Sequence, residues 1–181
     1  MILRLFRGTP NVPAERLYGQ IVAQARQPWL YTAAGVPDTV DGRFDMVVLH
    51  AFLVFDRLRQ GDDQAKALAQ SVFDGMFKDM DRSLREKGAS DIGVCPKVRR
   101  MAEIFYCRSK VYSEALQQQD ETRRQALVSA LARNVFAGDE EARATALADY
   151  VLAEHRAMAD RPIGQLLAGE TGFLEVSLSP A

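Results

Sequence analysis

Histidine and cysteine are scarce in this chain, two of each among 181 residues, and that scarcity excludes the commonest protein metal sites. His50 and His155 lie far apart, and no Glu-x-x-His pair sits on two facing helical stretches, so no metal centre is expected. Cys95 and Cys107 make neither a disulfide framework nor a zinc motif and read as reduced thiols. There is no glycine-rich phosphate loop, no Gly-x-Ser-x-Gly elbow and no paired-carboxylate signature. The expectation is a protein that is not an enzyme and carries no cofactor.

Long apolar runs are missing too. The longest, Met46 to Phe55, is broken by His50 and falls well short of the roughly 20 residues that span a bilayer. At the start, Arg4 interrupts the apolar residues Ile2, Leu3, Leu5 and Phe6, so no secretory h-region is expected and the chain reads as cytoplasmic. Those four residues beside two arginines are also compatible with a brush against a membrane surface. A net charge of −1 argues against a generally basic nucleic-acid-binding surface. No window alternates apolar and polar residues with β-branched enrichment, so no sheet is expected.

What the chain does have is helical periodicity. Leu17, Ile21, Val22 and Ala25 share one face of a stretch from Ala14 to about Arg26, which Pro28 should end. A second helix, about 43–60, is apolar on nearly every side and is expected at the centre, with Asp41 as N-cap and Asp45 facing the helix dipole. The next has Leu68, Val72, Met76 and Met80 at spacings of four; Gly75 within it suggests close approach of another helix, and Gly88 closes it. Pro96 should open a long helix to about Gln118. Further helices follow over 120–136, 139–158 and 162–168. The expected fold is all-α: a single domain over residues 1–181 of about six helices, with 1–12 and 169–181 peripheral or flexible.

Three features invite a binding role. The segment Leu30 to Met46 holds aromatics, a Pro-Asp turn and an arginine where polar loop residues are usual, which reads as a recognition surface. The Met and Phe stripe from Phe73 to Met80 fits an adaptable apolar groove or ordinary core. Lys97, Arg100 and Arg108 share part of one helix side and are the candidates for ribosome or anion contact; Glu103 and Glu114 offer the alternative of a balanced, solvated face. His50 is expected to be buried and hydrogen-bonded, and His155 to be solvated.

The chain resembles the ubiquinol–cytochrome c chaperone family of respiratory complex III assembly factors. The resemblance rests on Val36-Pro37-Asp38-Thr39 with Gly42-Arg43-Phe44-Asp45, then Leu49-His50 and Leu84-Arg85-Glu86. It continues through Asp91, Pro96-Lys97, Met101-Ala102-Glu103, Phe105-Tyr106 and Ala132-Arg133-Asn134-Val135-Phe136, in the form of an alphaproteobacterial member. Cys107 stands where members often have glycine. The resemblance implies a non-enzymatic chaperone that binds nascent cytochrome b, works near the ribosomal tunnel exit with a small partner protein, and stays peripheral to the inner membrane. A client made of membrane helices calls for an apolar groove rimmed by charge. Trp29, Tyr31, Val36 and Phe44 are the expected apolar contacts, Asp38, Thr39 and Arg43 the loop-ordering or rim residues, and Lys97, Met101, Phe105 and Tyr106 the contribution of the long helix. Competing readings are a ribosome- or RNA-associated factor, and a carrier of an apolar molecule such as a quinone in a cavity around His50.

Overall fold

A computed structural model describes residues 11–86, 88, 90–138 and 141–174. The apolar residues Ile2 to Phe6, the pair Asp139-Glu140 and the tail from Glu175 lie outside the described residues, as does the side chain of Asp91. The described residues form eight helices and no strand: α1 Val12–Ala25, α2 Pro28–Thr32, α3 Val40–Arg59, α4 Asp63–Glu86, α5 Asp91–Leu116, α6 Asp120–Val135, α7 Glu141–Asp160 and α8 Ile163–Leu167. Six are long and two are single short turns, so the all-α expectation holds with α2 as an addition.

The centre is α3. Eleven of its 20 residues are buried, on all sides of the helix, and α1, α4, α5, α6, α7 and α8 all touch it. Its start differs from the expectation. Thr39, not Asp41, is the N-cap: its Oγ1 accepts from the Gly42 N–H at 3.1 Å. Gly42 is there because the turn folds back on the helix; a methyl group at that position would overlap the Pro37 carbonyl oxygen. Asp45 sits one turn too deep to face the dipole and is buried against Arg108 instead.

Three other expectations are corrected. Pro28 does more than end α1: its fixed φ suits a first helical position, and the α2 turn it opens drives Trp29 and Leu30 into the core. Pro96 does not open α5, which starts at Asp91 and holds the proline inside, close enough to the end that few backbone bonds are affected. Gly75 is exposed, and among the described residues a Cβ there would meet nothing within 4 Å, so the expected close approach of a helix is not found.

The stretch after α8 is docked rather than peripheral as far as it is described. Gln20 Nε2 donates to the Gly169 carbonyl at 2.7 Å, while its Oε1 accepts from the Thr171 N–H and hydroxyl, each at 2.9 Å. Buried Glu154 accepts from the Leu174 N–H at 2.9 Å.

Candidate functional site

Between the first half of α4 and the second half of α5 lies an open groove of about 720 Å³, floored by the second half of α3. Phe52 and Phe55 come from α3, Ala69 and Phe73 from α4, and Phe105 and Tyr106 from α5. The rings interlock: Phe73 lies 5.6 Å from both Phe105 and Tyr106, and Phe55 5.6 Å from Phe105, centroid to centroid. Phe105 is buried, but Tyr106 is 61% exposed, the kind of exposed aromatic that a folding core alone does not explain. Around this floor stand Asp56, Arg59, Lys66, Lys110 and Glu114.

Asp56 is the one rim charge tied inward. Burial alone would raise its carboxyl, but a 3.3 Å contact to His155 Nε2 and the Arg59 guanidinium at 2.7 Å outweigh that and hold it below the usual carboxylate range. His155 is therefore half-buried and partnered, not solvated as expected.

The connector before α3 is largely closed. Trp29 and Val36 are buried, Trp29 edge-on to Tyr150 with ring centroids 4.6 Å apart. Both belong to the core, a correction to their expected role as contacts for another polypeptide. Tyr31 is half-buried and donates from its hydroxyl to the Ala25 carbonyl at 2.6 Å; Phe44 is half-buried on the core. Asp38 and Arg43 pair at 2.6 Å on the surface, which lowers the Asp38 carboxyl, and Thr39 caps α3. None of the seven residues expected here lines the groove. Of the four expected from the long helix, Phe105 and Tyr106 do and Lys97 and Met101 do not.

The basic cluster loses a member. Arg108 turns inward, ion-paired to Asp45 and donating to the Asn134 carbonyl at 3.0 Å, so it joins α5 to α3 and to the end of α6 rather than offering charge to an outside anion. Lys97 and Arg100 are exposed, with Glu103 3.5 Å from Arg100. His50 is fully buried as expected: Nδ1 donates to the Met46 carbonyl at 2.7 Å, which leaves Nε2 to accept from the Tyr150 hydroxyl at 2.8 Å. Burial pulls its pKa down to about 4, so the ring is neutral. Among the described residues no cluster of His, Cys, Asp and Glu could hold a metal ion, and no helix is long and apolar enough to cross a membrane.

In sequence Phe55 and Ala69 read only as apolar positions of their helices, while Phe73 belongs to the stripe for which an apolar groove is one of two readings. A signal was present in the aromatic residues on three consecutive helices, with one, Tyr106, next to Phe105 at the edge of the apolar stripe of α5.

Comparison with known proteins agrees with the resemblance. The model of the family described as Ubiquinol-cytochrome C chaperone matches residues 32–173. The chain is 24% identical over 143 residues to the Ubiquinol-cytochrome-c reductase complex assembly factor 1 of Xenopus laevis, covering 78% of this chain and 70% of that protein. Its fold is similar to the crystal structure of the Cbp3 homolog from Brucella abortus, with a TM-score of 0.80 and 38% identity over 91% of this chain and 90% of that one.

Proposed function

This chain belongs to the Ubiquinol-cytochrome C chaperone family, and on that premise we propose that it engages newly made cytochrome b through the groove between α3, α4 and α5 during assembly of the cytochrome bc complex. The observation that carries the reading is the aromatic floor with Tyr106 61% exposed at its mouth. A nascent membrane protein presents apolar helical surface to water, and burying such surface yields roughly 25 cal/mol per Å². A charged rim around an apolar floor lets the chaperone keep that surface out of water while staying hydrated itself. The site is open rather than enclosed, which fits a polypeptide laid across it better than a small molecule sealed inside. His50 and Tyr150 are bonded to each other in the core, which counts against the carrier reading around His50.

The test is complementation. In a strain lacking this protein, the wild-type chain should restore the cytochrome bc complex and Tyr106→Glu should not, while circular dichroism and melting temperature of the purified variant stay close to wild type. Full restoration by a stably expressed Tyr106→Glu chain would remove the groove from the function.

A further inference from the structure

The groove has a measurable length. Its lining runs from Phe105 on α5 to Gln117, the C-cap just past that helix, and on α4 from Lys66 to Phe73. At 1.5 Å per residue those stretches are about 18 Å and about 10 Å long, roughly two to three helical turns. A membrane span needs about 30 Å of cover. The floor therefore receives anchors at positions such as i, i+3, i+4 and i+7 of a short helix and leaves the rest of a full span in water.

The rim has a sign. Arg59, Lys66 and Lys110 carry side chains 63%, 59% and 77% exposed. Of the two carboxylates lining the groove, Glu114 is 60% exposed and Asp56 only 9%, held inward by Arg59 and His155. Lys66 also meets Asp63 at 3.2 Å, and Lys110 meets Glu114 at 3.9 Å. These are exposed pairs that water screens and that an incoming carboxylate can replace. An occupant thus meets an apolar floor between mainly cationic flanks.

We infer that the segment this groove takes is an amphipathic helix of roughly two to three turns whose apolar stripe is flanked by Asp or Glu. The inference rests on the groove being the docking surface proposed above. The flanking carboxylates lie against Lys66 on the α4 side and Lys110 on the α5 side, and the stripe covers Phe73, Phe105 and Tyr106.

Three labelled peptides test it, each with the same Leu and Phe stripe at helical spacing and with Glu, Gln or Lys at every other position. Their binding to the full chain is read by fluorescence anisotropy. The Glu peptide should bind about tenfold tighter than the Lys peptide at low salt, a difference of about 1.4 kcal/mol, and lose most of that lead near 1 M salt. K66E/K110E should invert the order; should that variant fail to fold, K66Q/K110Q should abolish the lead. Equal binding, a preference for Lys, or a charge order indifferent to these substitutions would overturn the inference. So would displacement of the Glu peptide by a uniformly apolar membrane-span peptide in nonionic micelles with an affinity unaffected by the rim variants. Tyr106→Glu separates the two levels: weakened binding of all three peptides keeps the docking surface even where the charge preference fails, whereas unchanged binding of all three removes the surface and the inference together.

Discussion

At the scale of single residues, the decisive pair is Asp45 with Arg108. Asp45 is buried and Arg108 mostly so, which means removing the guanidinium leaves a carboxylate uncompensated inside the protein. Arg108→Met should cost about 3–5 kcal/mol in urea unfolding, and Asp45→Leu added to it should recover a large part, because an apolar pair of similar volume avoids the desolvation penalty. Recovery of nothing would show that Arg108 stabilises through the Asn134 carbonyl instead. His50 gives a pH signature. Its folded pKa of about 4 lies below the ordinary 6.5 because burial disfavours the charged ring. Between those values the unfolded chain binds the extra proton, so stability is intact near neutrality and falls as pH drops through that window. Between pH 7 and pH 5 the wild type should lose roughly 2 kcal/mol more than His50→Gln. Glu154, raised by burial, acts with the opposite sign, which is why the comparison is made against the His50 variant and not read from wild type alone. The burial of His50 was legible from the apolar residues on both sides of it. The inward turn of Arg108 was not: a cation at helical spacing from Lys97 and Arg100 looks the same in sequence whether its partner is water or a carboxylate 63 residues away.

At the scale of elements, the long helices were readable because their apolar periodicity is strong, and their ends were not. Pro28 and Pro96 each obey a real rule, yet the rule fixes φ and removes a donor without saying whether the proline begins a turn or sits inside one. Trp29 and Val36 read as outward-facing in sequence because they interrupt what looks like a loop. The α2 turn instead brings Trp29 against Tyr150 of α7 and Tyr31 against the end of α1. The groove was half legible, through Phe105 and Tyr106, since it exists only where α4 and α5 stand over α3 and no single helix contains it. The strap of residues 169–174 was missed because its anchors, Gln20 and Glu154, lie far away in sequence. Gln20→Ala should release it, leaving the buried Thr171 N–H without its acceptor at a cost of about 1–3 kcal/mol. Faster hydrogen exchange confined to 169–174 and neighbouring α1 amides would report that release, and unchanged exchange there would contradict the clamp.

At the scale of the whole molecule, one apolar helix serves two ends. Met46, Leu49 and His50 of α3 are buried, with Tyr150 of α7 and Phe173 of the strap against the His50 ring; Phe52 and Phe55, further along, floor a groove that α4 and α5 leave open. Covering only part of α3 leaves apolar surface available at one end without weakening the core at the other. The most direct measurement is site-specific photo-crosslinking in cells making tagged cytochrome b, with a photoreactive phenylalanine placed at Tyr106 in one strain and at Asp38 in another. Adducts with cytochrome b from position 106 and none from position 38 are the result this account predicts. Adducts from position 38 with none from 106 would contradict it.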